Sequence, residues 1–317
     1  MTLRFDDQVA IVTGAGRGLG REHALLLAER GARVVVNDLG SSVTGGGTDR
    51  SAADTTAQEI NDKGGEAIAN ADSVATAEGG QAIVQAAMDA WGRVDVLINN
   101  AGFVDDANFD DMTPERFEPL IDVHLKGAFF VTRPAWLVMR ARGYGRIVNT
   151  TSSAGILGCP RMSNYGSAKT GLIGFTRVLA AEGAEFNVKV NAIAPIAATR
   201  MLERSMVSVE ELADPEALAA AQEVMRPFVE KVDPALVAPV AAFLAHSDCP
   251  VTGEIYTVGA GQVSRFFIGR TRGYHNPALS VEDVAANLDA IRDETGYTVP
   301  AGPGDEMAEL FAAIMPG

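Results

Sequence analysis

Cysteine is scarce in this chain, since Cys159 and Cys249 are the only two among its 317 residues. They lie far apart and form no C-x-x-C pair, which excludes a disulfide framework and a zinc or dithiol site of that spacing. Two free thiols are typical of a reducing compartment. We therefore expect no metal site and a cytoplasmic location.

Basic residues are also few, because 26 lysines and arginines face 41 acidic residues and leave a net charge of −15. Such a charge repels nucleic-acid backbones and anionic membranes, so we expect neither as a partner. No apolar run approaches the length of a membrane span. The first seven residues include Arg4, Asp6 and Asp7 and lack the apolar core of a signal peptide.

Aromatic residues make up only 6% of the chain, whereas 47% of it is hydrophobic and 33 residues are glycine. This composition is typical of an aliphatic α/β core. Short apolar runs predict buried strands at residues 9–12, 33–36, 94–98, 146–148 and 188–190. Alanine-rich stretches between them predict helices at residues 20–30, 52–63, 77–91 and 167–185. The alternation predicts the α/β fold class, with one doubly wound, Rossmann-like parallel sheet.

Two long segments interrupt this alternation, at residues 39–51 and 196–233, and long insertions in compact domains tend to be functional loops. The second carries Met201, Met206 and Met225, which favour either an adaptable apolar pocket or ordinary core. The pattern ends after residue 258. We predict a catalytic domain over residues 1–258 and an extension over 259–317, in which Ser280 caps a helix at 281–292.

A glycine-rich loop follows the first predicted strand, with the sequence Thr13-Gly14-Ala15-Gly16-Arg17-Gly18-Leu19-Gly20. Between a strand and a helix, such a loop lets a backbone approach a pyrophosphate that the helix N-terminus then attracts. A tight turn for helix packing is the other interpretation. This spacing differs from the G-x-G-x-x-G of long-chain dehydrogenases.

Asp38 ends the second predicted strand, where a carboxylate can accept hydrogen bonds from the adenosine ribose. Its charge would repel a 2′-phosphate. Arg17 would attract that phosphate if it did not turn to solvent. We give Asp38 more weight, so the sequence predicts NAD as the cofactor in preference to NADP.

Three further residues have the chemistry of an alcohol or ketone site. Tyr165 and Lys169 are spaced i, i+4 on one face of a predicted helix, and Ser152 follows the strand at 146–148. A tyrosine can donate or accept the proton, and a cationic lysine nearby would lower the tyrosine pKa. Ser152 can hold the substrate oxygen by a hydrogen bond. Each residue alone would fit an ordinary structural role.

Together with Asn99-Asn100-Ala101-Gly102, these motifs resemble the short-chain dehydrogenase/reductase family. The resemblance implies a cofactor site formed by the residues named here in chain order: Gly14, Arg17, Gly18, Leu19, Gly20, Asp38, Asp72, Ser73, Val74, Asn99, Ala101, Gly102, Tyr165, Lys169, Pro195, Ala197 and Thr199. In it, residues 72–74 lie by the adenine and residues 195–199 by the nicotinamide. Members usually form dimers or tetramers through helices that correspond to residues 122–142 and 165–185.

Longer stretches, among them residues 37–40, 165–169, 191–195, 199–201, 258–261, 276–277 and 280–292, resemble one branch of that family. This branch is the dehydrogenase unit of peroxisomal multifunctional enzymes of type 2, also called 17β-hydroxysteroid dehydrogenases of type 4. It implies oxidation of (3R)-hydroxyacyl-CoA thioesters with NAD, in some members on steroid substrates. Most of the wider family has Asn where this chain and the branch have His124, which either joins a proton relay or packs in the core. Ile196 also replaces a common glycine.

The sequence leaves several functions open. We expect a hydroxyacyl-CoA dehydrogenase of β-oxidation, with Ser152, Tyr165, Lys169 and His124 as the catalytic residues. The alternatives are a dehydrogenase of free 17β-hydroxysteroids and an inactive dinucleotide-binding scaffold that docks to a separate hydratase. Arg265, Arg270 and Arg272 would either meet CoA phosphates or stay in solvent.

Overall fold

The structure, a computed structural model, describes residues 2–42, 44–199 and 215–315. The chain divides into two compact units, Met1–Arg265 and Phe266–Gly317. The first unit contains the sheet and every catalytic candidate named above. In the part of the chain that the structure describes, no helix is long and apolar enough to cross a membrane.

Eight strands form one sheet in the order β3-β2-β1-β4-β5-β6-β7-β8. Their bounds are β1 Val9–Thr13, β2 Arg33–Asn37, β3 Glu66–Asn70, β4 Val96–Asn99, β5 Gly145–Thr150, β6 Val188–Pro195, β7 Ile255–Gly259 and β8 Gln262–Phe266. The first seven strands pair in parallel. The strand order reverses at the β1/β4 pair, where α/β sheets bind their ligands. The predicted doubly wound α/β fold is confirmed.

Helices cover both faces of the sheet. In the described residues of the first unit they are α1 Gly18–Glu29, α2 Ser51–Asp62, α3 Ala77–Trp91, α4 Pro114–Ile121, α5 Gly127–Arg142, α6 Ser153–Leu157, α7 Ser163–Gly183, α8 Pro215–Val229 and α9 Ala238–Ala245. A π-helical turn, Asp122–Lys126, joins α4 to α5. Single 3-10 turns lie at Phe109–Asp111, Ala184–Phe186 and Pro234–Leu236.

The central strands are apolar throughout because both of their faces are buried. Val12 and Ile98 pack into a cluster with α1, α2 and α9 on one face, whereas Ile11 and Leu97 pack with α3, α5 and α7 on the other. Burying one such side chain contributes roughly 1.5–3 kcal/mol. The two clusters thereby hold the carboxyl ends of the strands rigidly along one edge.

The end of the first unit differs from the sequence prediction. Strand β8 follows β7 after only Ala260 and Gly261, whose φ angles are +49° and +78°. A two-residue turn with both φ angles positive connects antiparallel strands, so β8 adds an antiparallel edge. The sequence pattern gave no sign of this strand, and the compact first unit extends through Arg265.

Up to residue 315, the second unit contains the helices α10 Val281–Ala286, α11 Leu288–Arg292 and α12 Pro303–Ile314. The predicted cap is confirmed, because the Ser280 hydroxyl accepts a hydrogen bond from the Asp283 N–H and the Asp283 carboxylate bonds back to Ser280. The predicted single helix at 281–292 was wrong in one respect. Asn287 has φ −113° and ψ 17°, which breaks it into α10 and α11.

His23 lies in α1 with only 1% of its surface exposed. Neither of its ring nitrogens has a hydrogen-bond partner within the described ranges. Burial disfavours the charged ring and lowers the pKa of His23 from 6.5 to about 4. The folded chain therefore keeps this imidazole neutral under mildly acidic conditions.

We expect this histidine to make folding sensitive to mild acid. The unfolded chain binds a proton at His23 below about pH 6.5, whereas the folded chain binds it only near pH 4, so stability is lost as the pH falls between these values. The shift corresponds to about 3 kcal/mol. His23→Leu should remove that part of the loss, as measured by urea unfolding at several pH values.

His275→Leu is a suitable control, because His275 is exposed and its ring stays in water in both states. This variant should retain the acid sensitivity of the unmodified protein. If His23→Leu retains it as well, the folded protein accommodates the proton at His23 by rearranging.

Candidate active site

The glycine-rich loop between β1 and α1 brings backbone to the edge of the sheet. Gly14 and Gly18 have φ angles of +65° and +55°, a region that L side chains rarely adopt. A Cβ on Gly20 would lie 2.2 Å from the Gly14 carbonyl oxygen. The N-cap of α1 is Arg17, whose side chain has no acceptor atom, so the first N–H groups of the helix remain available to an anion.

Asp38 follows β2 and holds the same loop. Its Oδ2 accepts a hydrogen bond of 2.8 Å from the Gly16 N–H, and its Oδ1 accepts one of 2.7 Å from the Gly40 N–H. Arg17 forms an ion pair of 3.4 Å with Asp49. Arg17 is therefore paired with a carboxylate of the 39–51 loop. The sequence analysis considered only a contact with a 2′-phosphate or exposure to solvent for this side chain.

The loop after β3 supplies the next wall. Asn37 donates a hydrogen bond of 2.9 Å to the Asp72 carbonyl, and Ser73 accepts one of 3.2 Å from the Ala75 N–H. Across from this loop lie Ser41, Ser42 and Gly45, which the sequence analysis did not select. Both loops line the same cavity, whose floor is the glycine-rich loop.

Asn99 and Asn100, at the end of β4, have different positions relative to the cavity. Asn100 donates to the carbonyls of Thr13 and Gly14 at 3.0 and 3.2 Å and lines the cavity. Asn99 lies beneath it and donates to Thr132 and Asn149, each at 2.9 Å. Asn99 thus supports the cavity from behind, whereas the sequence placed it at the cofactor.

Tyr165, Lys169 and Ser152 come together at the carboxyl ends of β4 and β5. The Lys169 ammonium lies 5.5 Å from the centroid of the Tyr165 ring and donates a hydrogen bond of 2.6 Å to the Thr150 carbonyl. The Tyr165 hydroxyl is hydrogen-bonded to Ser152. The predicted proximity of the three side chains is therefore present, at one end of the cavity.

Burial dominates the acid–base properties of the pair. It raises the pKa of Tyr165 above 10, and the hydrogen bond from Ser152 lowers it only in part. The same burial lowers the pKa of Lys169 from 10.5 to about 7, since only 4% of this side chain is exposed. The expected lowering of the Tyr165 pKa by Lys169 is not what the structure shows, because removal of the phenolate from water has the larger effect.

His124 lies in the π-helical turn, edge-on to Tyr165 with 5.2 Å between the ring centroids. Its Nε2 lies 2.8 Å from the Phe103 carbonyl oxygen and 3.2 Å from the Phe103 backbone nitrogen, so the tautomer of the ring sets which of the two it bonds. Burial and the nearby Lys169 charge hold the pKa of His124 well below 6.5, so the ring is neutral. A Cβ on Gly102 would lie 2.2 Å from His124 Cε1, which makes glycine necessary there.

A second, smaller cavity of about 10 Å³ lies behind the catalytic candidates and is lined by Asn99, His124 and Lys169 among others. Asn99 Oδ1 and His124 Nδ1 are buried polar atoms without a hydrogen-bond partner in the described part of the chain. A space of this size with several polar groups can hold one water molecule. His124 thus combines the two roles considered from the sequence, since it packs in the core and faces a polar space.

Residues 195–199 after β6 form the last wall. The Ile196 N–H donates a hydrogen bond of 2.8 Å to Val258, and the Ala198 N–H donates one of 2.6 Å to Val232. A Cβ on Gly259 would lie 2.7 Å from the Ile196 carbonyl oxygen, so β7 also restrains this segment. The predictions about Met201 and Met206 and about the side chain of Met225 fall outside the described residues.

The cavity enclosed by these walls has a volume of about 870 Å³. Of the residues predicted to bind cofactor, only Gly20 and Asn99 do not line it. Apolar side chains also line the cavity, and the sequence analysis assigned none of them to it: Phe103, Val104, Leu157, Met162 and Ile196. The glycine-rich loop, the free helix N-terminus and the Asp38 carboxylate fit a dinucleotide, and the apolar lining is suited to a hydrophobic substrate.

Residues 8–207 match the short chain dehydrogenase family. The chain belongs to the short-chain dehydrogenase family. It is therefore an oxidoreductase, and enzymes of this family use NAD or NADP. In the part of the dehydrogenase that the structure describes, no group of three or more His, Cys, Asp or Glu residues could hold a metal ion.

Several relatives of this dehydrogenase are larger proteins. It is 41% identical over 314 residues to the peroxisomal multifunctional enzyme A of Dictyostelium discoideum, a match that covers 99% of this chain and 66% of that protein. It is 39% identical over 319 residues to the peroxisomal hydratase-dehydrogenase-epimerase of Neurospora crassa, covering 99% of this chain and 33% of the relative.

A solved structure gives the same result. The full-length peroxisomal multifunctional enzyme type 2 from Drosophila melanogaster superposes with a TM-score of 0.78 at 32% identity, over 98% of this chain and 50% of that one. The chain thus spans between one third and two thirds of the length of these relatives. The resemblance to the multifunctional-enzyme branch is confirmed.

Proposed function

We propose that this dehydrogenase oxidises a (3R)-hydroxyacyl-CoA to the 3-oxoacyl-CoA with NAD. The observation that carries the proposal is that Tyr165 lines the same cavity as the glycine-rich loop and a set of apolar side chains. The name of the Neurospora relative supports it, because it joins a dehydrogenase to a hydratase, and hydration of a double bond creates a hydroxyl. A steroid side-chain thioester would suit the same apolar side chains.

The residues of the site divide the reaction between them. The Tyr165 phenolate accepts the proton of the substrate hydroxyl, while the Ser152 hydroxyl donates a hydrogen bond to the substrate oxygen. Bound NAD supplies the acceptor for the hydride that leaves the carbinol carbon. The charge on Lys169 stabilises the phenolate at 5.5 Å from its ring. Neutral His124 fixes the edge of Tyr165 and faces the small polar cavity behind Lys169.

The choice of NAD is supported by Asp38 and Asp49. The Asp38 carboxylate lies beside the glycine loop, where a 2′-phosphate would meet its charge. Arg17, the cation that could attract this phosphate, is paired with Asp49. Both carboxylates therefore act against NADP.

Removal of these carboxylates should change the cofactor preference. In Asp38→Ser we expect kcat/KM with NAD to fall about tenfold, because hydrogen bonds to a charged group contribute roughly 1.5–3 kcal/mol. In the double variant Asp38→Ser/Asp49→Ala, Arg17 can also contact the 2′-phosphate, so kcat/KM with NADP should rise above its value in Asp38→Ser. Asp54→Ala removes a similar exposed ion pair with Arg50 in α2 and should leave both values unchanged. A preference of the unmodified enzyme for NADP would contradict the proposal.

The arginines considered for CoA phosphates are engaged within the chain. Arg265 pairs with Glu254 at 2.7 Å, Arg270 pairs with Glu309 at 2.5 Å, and Arg272 donates to the Gly296 carbonyl at 3.2 Å. These contacts give no support to CoA recognition by this basic run. The proposal for acyl-CoA therefore depends on the cavity and on the relatives.

Free 17β-hydroxysteroids are a second candidate substrate, because the apolar wall of Phe103, Val104, Leu157 and Met162 has no feature specific to a thioester. An inactive scaffold is disfavoured, since Ser152, Tyr165 and Lys169 are present together. A separate hydratase stays a proposed partner.

Homo-oligomer formation is supported by apolar residues on the surface of α5 and α7, where Leu137 and Val178 are 54% and 56% exposed. The cytoplasmic location stays a prediction. The names of the Dictyostelium and Neurospora relatives describe those two proteins as peroxisomal.

Absorbance of NADH tests the proposal directly. A panel of (3R)- and (3S)-hydroxyacyl-CoA thioesters, a steroid side-chain thioester and free 17β-hydroxysteroids is incubated with NAD or NADP. We expect turnover with a (3R) thioester and NAD. Turnover of free steroids alone would replace the substrate and keep the reaction, and a complete lack of turnover would favour the scaffold.

A further inference from the structure

The segment of residues 103–107 contributes apolar wall to the cavity, because Phe103 and Val104 both line it. It follows β4 and contains neither helix nor strand. Its position must therefore come from contacts with other elements. Those contacts converge on the residues just before Tyr165.

Asn164 makes the central contacts. It is fully buried, and its side-chain N–H groups donate to the carbonyls of Asp105 at 2.8 Å and Arg116 at 2.9 Å. Its Oδ1 accepts a hydrogen bond of 2.7 Å from the backbone N–H of Tyr165. One amide thereby connects the 103–107 segment, helix α4 and the first turn of α7.

Charged pairs reinforce the same junction. Arg116 binds both carboxylate oxygens of Asp105, at 2.9 and 2.5 Å. Arg161 pairs with Asp106, and the Arg161 carbonyl accepts a hydrogen bond of 2.9 Å from the Ala107 N–H. Arg161 has a φ of +68°, a conformation uncommon for a residue with a side chain. Such a conformation persists where the surrounding contacts determine it.

We propose that Asn164 is a positioning residue that fixes the Tyr165 phenol and the Phe103–Val104 wall relative to each other, with the Asp106–Arg161 pair as a second connection. The inference rests on the proposed role of Tyr165. Asn164 does not line the cavity, so it acts through the residues it holds.

The chemistry of the contacts requires an amide at this position. Two carbonyl oxygens and one N–H surround the side chain, and only Asn or Gln offers two donors and an acceptor on one planar group. An aspartate would place buried negative charge against both carbonyls. An alanine would leave two carbonyls and one N–H without their partner.

The test compares Asn164→Ala with Asn191→Ala. Asn191 is also fully buried and also uses its amide in both directions, donating to the Val251 carbonyl at 3.0 Å and accepting from the Glu254 N–H at 3.1 Å. It lies in β6 outside the cavity. Both substitutions should lower the free energy of unfolding by a similar amount. A loss of activity that occurs only in Asn164→Ala therefore reports the loss of positioning and not a loss of folded protein.

For Asn164→Ala we expect kcat to fall about 100-fold, the loss that a displacement near 1 Å can cause. The KM for (3R)-hydroxydecanoyl-CoA, or for the steroid that the substrate panel selects, should rise. The Kd for NAD, measured by protein fluorescence, should stay the same. The pH midpoint of oxidation should move upward, because a displaced phenol loses its hydrogen bond to Ser152. Asn191→Ala should change none of these.

Asp106→Asn and Asn164→Ser provide further tests if Asn164→Ala does not fold. Asp106→Asn removes the ion pair to Arg161 and should raise the KM several-fold with a smaller change in kcat. Unchanged kcat and KM in folded Asn164→Ala or Asn164→Ser would overturn the inference. So would an equal loss of activity in Asn191→Ala. Tyr165→Phe distinguishes the two proposals, because an active Tyr165→Phe overturns the proposed function itself.

Discussion

Tyr165→Phe should lower the rate of alcohol oxidation by about 10²–10⁴-fold, the usual contribution of a general acid or base. Phenylalanine retains the ring that packs edge-on against His124, so the shape of the site should persist. Binding of NAD, followed by fluorescence, should therefore be unchanged while the formation of NADH slows by that factor.

Tyr256→Phe is the matched control for this substitution. The Tyr256 hydroxyl is likewise hydrogen-bonded to one side chain, since it donates to Glu254, but Tyr256 lies in β7 outside the cavity. Its loss should leave the kcat unchanged. If Tyr165→Phe retains full turnover, the proton must go to another group, and the proposed role of Tyr165 is wrong.

Lys169→Met should reduce activity by about 100-fold at pH 6.5, where Lys169 with its pKa of about 7 is still largely charged, because the phenolate loses the cation beside it. The pH profile of oxidation should also move upward. Oxidation needs the deprotonated phenol, whose pKa burial already raises, so the rate of both proteins should increase with pH. Lys169→Arg retains a charge, and its profile should lie between the other two.

The same variant should be more stable than the unmodified enzyme. The pKa of Lys169 falls from 10.5 to about 7 on folding, so below pH 7 the folded protein carries a buried charge at full cost, and this cost disappears as the pH rises toward 10.5. Lys169→Met should gain several kcal/mol below pH 7, at about 1.4 kcal/mol per pKa unit. Loss of the donor to the Thr150 carbonyl offsets a part of this gain.

Urea unfolding at pH 6 and pH 9.5 checks the sign, since the gain should be larger at the lower pH. A loss of stability at pH 6 would mean that Lys169 is held mainly by favourable contacts. Opposite changes in activity and stability would mark this lysine as a residue retained for function.

The central sheet could be predicted because burial on both faces produces unbroken apolar runs, as in Val9–Thr13 and Arg33–Asn37. Strand β3 has the sequence Glu-Ala-Ile-Ala-Asn, whose alanines carry no strand signal. Edge strand β8 is largely exposed and therefore lacks an apolar pattern. The turn at Ala260 and Gly261 indicates this strand, but the turn can be recognised only from its backbone angles.

The candidate site was predictable where a short motif carries its chemistry. Tyr165 and Lys169 are one helical turn apart, and the glycine loop is contiguous in the sequence. Asn164 was missed because its partners are backbone carbonyls, which no residue pattern reports. Asp49 was missed because its pairing with Arg17 depends on the path of a loop that the sequence does not specify.

The direction of the Tyr165 pKa shift also could not be predicted from the sequence. The i, i+4 spacing gives the distance to Lys169 but no measure of how deeply both groups are buried. Burial raises the pKa of Tyr165 in spite of the nearby lysine, and the same burial lowers the pKa of Lys169.

The π-helical turn at Asp122–Lys126 also determines which changes the enzyme can accept during evolution. A π turn accommodates one more residue than the α-helical turn it replaces, and each residue of an α-helix turns the next by about 100°. Deletion of one residue here would yield a regular helix and rotate His124 away from Tyr165. A single-codon deletion in this turn would therefore remove the catalytic geometry in one step.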